Sequence, residues 1–368
     1  MTASKDNTAS TVQSSGNIYV DGMISGTKWT GPTITFAFPV NSGAYDADYP
    51  VNWPQQNFQP FSVGYQRYIR VLLAQIETFT TVHFAETSSV STATLRFGRF
   101  DDPSNGAYAY TPSSSSRGGD TWFANNNNPD PVYGNTTSHA VAHEVGHALG
   151  LKHPHDGSIV LPLDRDSNAY TSMSYKQIVN QLSGDYSHND IDWEQSYMME
   201  DILGLQYLYG ANFNFNVDNT VYSFSPLTGH MLINGIDSTP QANTNIFRTI
   251  WDGGGSDTFD LRNFSSDQDI DLSPGGWMKF SPSQLAVAVQ RGDPSARLTP
   301  IFQPGNVANA LLYNNDARSL IENVMTGAGN DNIRGNFGAN VIAGNGGNDT
   351  IDGGEGVDTA VYAGISSS

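Results

Sequence analysis

The stretch His143–His153 reads H-E-V-G-H-A-L-G-L-K-H, and the first half of the chain is read outward from it. On a helix of about 3.6 residues per turn, positions i and i+4 share a face, so His143 and His147 can grip one ion. Glu144 is offset by one residue and points beside that metal, where it can take a proton from a water the metal polarises. Gly150 is where the helix can stop, because glycine enters the left-handed region without penalty. The chain then turns and brings His153 back as a third ligand. Three neutral imidazoles and an open fourth position describe a catalytic zinc rather than a structural one.

The whole chain sets the bounds. At 368 residues it is long enough for two domains, each with its own core. The formal charge is −19, with only 17 lysines and arginines, which argues against nucleic acid and anionic membrane surfaces as partners. The same balance suits a secreted protein that collects divalent cations. There is no cysteine, so stability outside the cell needs a source other than disulfides, and bound metal is the obvious one. No stretch approaches the roughly 18 consecutive apolar residues of a membrane span. The N-terminus, MTASKDNTASTVQSS, is polar and lacks the apolar run of a secretory signal peptide. Either the protein is cytoplasmic or its export uses another address.

Residues 1–16 are read as disordered or as a short pro-segment, 17–212 as the domain that carries the zinc run and 213–368 as a second domain. Within the first domain Ile34–Phe38 alternates like a strand. Tyr65, Tyr68, Ile69, Leu72, Leu73, Ile76 and Phe79 fall at helical spacing. Val82–Phe84, Thr94–Phe97, Ala107–Tyr110 and Thr121–Phe123 are short strands between polar turns. A helix over 138–149 carries the zinc run, with Ser138 as its N-cap. A second, over 197–209, stops at Gly210.

Beyond residue 215 the composition shifts to Asn, Asp and Gly, and near the end a nine-residue period appears. Asp331, Asn340, Asp349 and Asp358 are each nine apart, as are Gly329, Gly338, Gly347 and Gly356. Ile333, Ile342, Ile351 and Ala360 follow two residues after each acidic position. This fits the calcium repeat of parallel β-rolls: glycines bend the turn, the aspartate supplies an oxygen, and the aliphatic residue drives a strand inward. Successive turns alternate between two edges, so Asp331 pairs with Asp349 and Asn340 with Asp358. The neutral oxygen of Asn340 should weaken its site.

The zinc run, Ser172-Met173-Ser174-Tyr175 and the repeats together resemble the serralysin family of secreted metalloproteases, within the metzincin clan. The segments DILGLQYLYGAN and IWDGGGSDTFD strengthen the likeness, which covers roughly residues 18–361. The resemblance implies an α+β metzincin-like peptidase domain, with a mixed twisted sheet plus helices, followed by an all-β parallel β-roll calcium-binding domain. Met173 would form an apolar floor beneath the zinc. Tyr175 would be a fifth zinc ligand at rest that swings to stabilise the oxyanion. Ala107, Tyr108, Ala109 and Tyr110 align with the family's edge strand above the cleft, where an extended peptide adds through its main chain. Asp252, Gly254, Asp257 and Glu322 match calcium positions, and carbonyls of 216–220 replace a more usual family stretch. Two departures stand out. Only 19 residues separate His153 from Met173, so a cleft-side loop is read as trimmed. The chain ends at Ser368, soon after the repeats, where the family continues into further strands and a C-terminal signal for a type I exporter. That ending is read as a truncation, a processed product or a shorter variant.

The reaction this resemblance implies is broad-specificity endopeptidase hydrolysis of extracellular proteins, with one catalytic zinc, Glu144 as general base, Tyr175 on the oxyanion and several structural calcium ions. The expected partners are protein and peptide substrates and a proteinaceous protease inhibitor; the expected state is a secreted monomer. The rival readings are a catalytically silent calcium-binding adhesion module and an esterase or amidase with similar zinc chemistry. His139, His155, His83, His188 and His230 are assigned no catalytic role.

Overall fold

The computed structural model describes residues 5, 8–45, 49, 57–101, 106–125, 129–181, 185–188, 191–238, 244–291 and 300–362. Residues 1–4, 6–7 and 363–368, parts of the two terminal segments assigned above, lie outside them.

The first half is built on strands β1 (Ala9–Thr11), β2 (Thr27–Trp29), β3 (Thr33–Ala37), β4 (His83–Glu86), β5 (Leu95–Phe100), β6 (Ala107–Ala109), β7 (Asp120–Ala124) and β8 (Asp185–His188). Its helices are α1 (Ile18–Asp21), α2 (Val63–Phe79), α3 (Thr136–Leu149) and α4 (Met199–Tyr209). One sheet runs β4-β3-β5-β7-β6, parallel except for β6, which is antiparallel at the edge. Strand alternation sorts its two faces. Leu95 and Phe97 of β5 pack with the buried row of α2 and with Val141, Val145, Ala148 and Leu149 of α3. Trp122, Phe100 and Tyr108 face the other way, in an aromatic cluster with Tyr45 and Tyr49. The sheet and α2 thus hold α3 against a closed core, and the zinc run inherits that rigidity.

The N-terminal segment differs from its reading as disordered. β1 pairs antiparallel with β2, and Asp21 gathers the Ser14 and Ser15 hydroxyls and the Ser15 and Gly16 N–H groups. Lys5 reaches Asp120 at 2.7 Å, which Arg96 also grips through two nitrogens. A polar segment need not bury apolar area to be ordered when buried carboxylates collect its donors.

Helix starts also move. The cap of α3 is Asn135, not Ser138: Asn135 Oδ1 accepts the Ser138 N–H at 2.7 Å. α4 begins at Met199, because Asp201 turns its carboxylate back onto the Met198 N–H.

In the second half short strands stack in two sheets. One runs Val221–Phe224, Thr258–Asp260, Asn323–Met325, Val341–Ala343, Thr359–Val361, and the other contains Asp269–Asp271, Asn332–Arg334, Thr350–Asp352. Partners along each sheet lie eighteen residues apart in the repeats, with Ile333 opposite Ile351 and Ile342 opposite Ala360. That is twice the nine-residue period, since successive turns alternate between the sheets. Ile333, Ile342, Val324, Phe259 and Ile270 fill the space between them. β8 pairs with Val287–Arg291 of this half, tying the two halves together.

Candidate metal centre and its surroundings

α3 ends where the sequence places its stop. Gly150 adopts φ 107°, and a Cβ there would lie 2.5 Å from the Thr27 carbonyl, so only glycine fits. The turn returns His153 with its Nε2 3.2 Å from His143 Nε2 and 3.1 Å from His147 Nε2.

The outer nitrogens determine what those contacts are. His143 Nδ1 lies 2.9 Å from the Ser172 carbonyl, and His147 Nδ1 lies 3.0 Å from the Leu151 carbonyl. A carbonyl only accepts, so both Nδ1 atoms carry the proton. His153 Nδ1 likewise faces the Asp156 carboxylate at 2.7 Å. All three Nε2 atoms therefore present lone pairs to one point, a repulsive arrangement without a cation between them. Ligands about 2.0–2.1 Å from a tetrahedral zinc sit about 3.3 Å apart. The donor set and its spacing fit zinc. Burial holds His143 well below its ordinary value, with His147 adding to it, and pushes His147 down to about 4. Both rings thus stay neutral, as ligation requires.

Glu144 is 6% exposed, and its Oε2 is buried without a hydrogen-bond partner. Burial pushes its carboxyl up to about 8. Tyr175 approaches from the open side, 59% exposed, with its hydroxyl 2.8 Å from His153 Nε2 and its ring stacked on His143. Met173 is fully buried beneath. A Cβ on Gly146 would lie 2.6 Å from its sulfur, so the missing side chain lets α3 settle onto the Met-turn.

The sequence reading missed the group that positions this turn. Asp201, at the start of α4 and fully buried, accepts the Thr171 hydroxyl (2.6 Å) and the Ser172 N–H (2.7 Å). Ser172 in turn offers its carbonyl to His143. An acid at the third helical position is legible as a capping residue, but its reach thirty residues back is not. Asp201→Ala leaves buried donors unpaired, which should destabilise the fold by about 3 kcal/mol. It should also weaken zinc binding roughly 10–100-fold, read by competition with a chelator. Unchanged zinc affinity would show that the Met-turn holds its place unaided.

β6 is the sheet edge next to α3. Ala107 and Ala109 pack toward the main core, whereas Tyr108 and Tyr110 turn into the aromatic cluster behind the sheet. All four side chains are half-buried. His139 stacks on Trp193 and pairs with Glu194 at 2.5 Å. His155 lies parallel to His153 at the rim, 3.8 Å from Asp166. His188 is buried and donates to the Val287 carbonyl.

In the second half Asp252 and Asp257 are held above the ordinary carboxylate range, first by burial. Neighbouring carboxylates push the same way: Glu322 on Asp252, and Asp252 and Glu322 on Asp257. Glu322 and Asp331 are raised by burial as well. Asp257 Oδ2 and Asp331 Oδ2 are buried without hydrogen-bond partners. The Asp218 carbonyl faces the same turn, 2.8 Å from where a Gly255 Cβ would stand, and Gly254 gives its N–H to Asp252. Partnerless carboxylate oxygens beside backbone carbonyls fit calcium. Asp349 and Asp358 occupy the matching places in later turns. Asn340 presents an amide nitrogen there instead.

Comparison with known proteins bears on both halves. Residues 125–176 match the Met-zincin family, 211–282 the family described as Peptidase M10 serralysin C terminal, and 325–360 the RTX calcium-binding nonapeptide repeat. The chain is 31% identical over 294 residues to a serralysin of Photorhabdus laumondii subsp. laumondii, covering 73% of this chain and 57% of that one. It is 29% identical over 281 residues to metallopeptidase AprA of Pseudomonas marginalis, covering 72% and 57%. Serralysin A of Dickeya chrysanthemi is 33% identical over 194 residues, covering 50% and 39%. The chain thus spans little more than half the length of the relatives it matches most fully. With the histidine triad, the buried methionine and the calcium turns in one chain, it belongs to the serralysin family.

Proposed function

We propose that the protein is a zinc-dependent endopeptidase that hydrolyses peptide bonds of extracellular proteins with broad specificity. The observation that carries the reading is the convergence of three imidazole lone pairs beside a buried, partnerless Glu144 oxygen, with the Tyr175 hydroxyl on the open side. Zinc, when bound, supplies Lewis acidity to the scissile carbonyl and to water. Glu144 takes the proton of the attacking water and later delivers it to the leaving amine. The Tyr175 hydroxyl donates to the oxygen on which negative charge develops. The main chain of β6 aligns an extended substrate, which reads few side chains and so accepts many sequences. A division at 17–212 and 213–368 is supported by one core around α2 and α3 and a second inside the roll, the first also taking in Trp251 and Ala310 where the two halves meet.

Secretion, a monomeric state and control by a proteinaceous inhibitor complete the proposal. The acidic charge of −19 and the calcium turns support the extracellular setting. No helix among the described residues is long and apolar enough to cross a membrane. The deciding test is casein or gelatin hydrolysis with zinc and calcium present: activity in the wild type and its loss in Glu144→Ala are expected. A wild type that holds zinc but cleaves no protein would favour the silent binding module. Tyr175→Phe should lower kcat roughly 100-fold with little change in KM, since the hydroxyl acts only on the transition state. An unchanged kcat would remove Tyr175 from the machinery.

A further inference from the structure

Five carboxylates in the second half follow one rule. Each has an oxygen that accepts a backbone N–H from the preceding turn on the same edge. Asp257 takes that of Thr220 (2.7 Å), Glu322 that of Asp257 (2.9 Å) and Asp331 that of Gln268 (2.8 Å). Asp349 takes that of Asp331 and Asp358 that of Asn340, each at 3.0 Å. This directs the other oxygen between the turns. At Asp257 that oxygen is buried without a hydrogen-bond partner; at Asp331 it is buried too, and the Thr326 hydroxyl lies beside the carboxylate while donating to the Gly344 carbonyl at 3.1 Å.

Asn340 departs from the rule. Its Oδ1 accepts the Asn336 N–H of its own turn at 3.0 Å. Its Nδ2 donates to the Glu322 carbonyl at 2.8 Å and to Asn336 Oδ1 at 2.9 Å. Asn336 Nδ2 donates to the Leu272 and Ile321 carbonyls, at 3.3 and 3.0 Å. Both residues are buried, 1% and 3% exposed.

A carboxamide nitrogen has protons to give and no lone pair for a cation. The oxygens nearest the gap, Glu322 O and Asn336 Oδ1, already receive those protons. Flipping the Asn340 amide would set its oxygen against two acceptors and its nitrogen against the Asn336 N–H. The network therefore fixes the orientation.

We infer that the layer between turns 317–322 and 335–340 is closed by these two side-chain amides and takes no calcium, while the carboxylate layers around it do. The inference rests on calcium binding at those carboxylate turns. It makes this layer independent of calcium, so the roll keeps one permanent link between its repeats and the strands before them.

The test is a calcium count by elemental analysis on the intact chain, equilibrated with calcium and desalted. Asp331→Asn should lose one ion and Asn340→Ala none, although the latter should melt lower for want of its buried hydrogen bonds. The double variant Asn336→Gly, Asn340→Asp, which restores the pattern of the 353–358 turn, should gain one ion. Loss of an ion in Asn340→Ala, or an unchanged count in the double variant, would overturn the inference. An unchanged count in Asp331→Asn would instead overturn calcium binding at the carboxylate turns, and the contrast drawn here with it.

Discussion

Glu144→Ala is expected to keep its zinc and lose roughly 10²–10⁴-fold in kcat/KM on peptide substrates. The zinc stays because the three lone pairs and their carbonyl and carboxylate partners do not involve Glu144. The fold stays because the variant removes a buried carboxyl whose Oε2 has no partner and leaves a good helix former inside α3. Melting should be unchanged or slightly raised, which separates loss of chemistry from loss of structure. The pH profile follows from the same group. Glu144 works as a base only without its proton, so kcat/KM should rise with pH along its acid limb. Burial alone pushes it up to about 8, and a divalent cation beside it pulls the value down, placing the limb below that. Hydrolysis within tenfold of wild type in a zinc-loaded Glu144→Ala protein would defeat the assignment.

Calcium removal should strongly destabilise the second half, and it should reverse how that half responds to pH. Asp252, Asp257, Glu322 and Asp331 all sit above the ordinary carboxylate range, with burial the largest cause. Without calcium the folded state binds protons more tightly than the unfolded chain. Stability is then greatest at low pH and is lost as pH rises through the raised values. With calcium, protons compete for the same oxygens, so affinity and stability fall as pH drops. In a calcium chelator the second half should melt higher at about pH 6 than at about pH 8, and in excess calcium the order should invert. Circular dichroism melts with zinc restored in both series would test this. Slopes of the same sign in both series would mean that these carboxylates do not hold the ion.

Local chemistry was legible from spacing. His143 and His147 share a helical face whatever surrounds them, Gly150 ends the helix because it alone fits there, and the nine-residue period sets the roll's register. Tyr175 was legible only through resemblance, since nothing in Met-Ser-Tyr announces a place beside His153. Asn135, Asp156 and Asp201 were not singled out, because each acts through a hydrogen bond whose partner the pattern does not name. The order of residues 9–16 was missed for the same reason: their donors meet Asp21, and Lys5 meets Asp120 far along the chain.

The sequence alone therefore determined the three histidines on one site with Glu144 beside them, the helix stop and the alternation of turns, all of which follow from backbone periodicities of a few residues. Tertiary structure decided which nitrogen of each histidine faces the shared point, where Tyr175 rests, and that Tyr108 and Tyr110 pack into the aromatic cluster. It also decided that Asn340 gives protons where its neighbours offer oxygen. These depend on hydrogen-bond partners brought from distant turns, and a side chain's donor or acceptor role is settled only when its partner is in place.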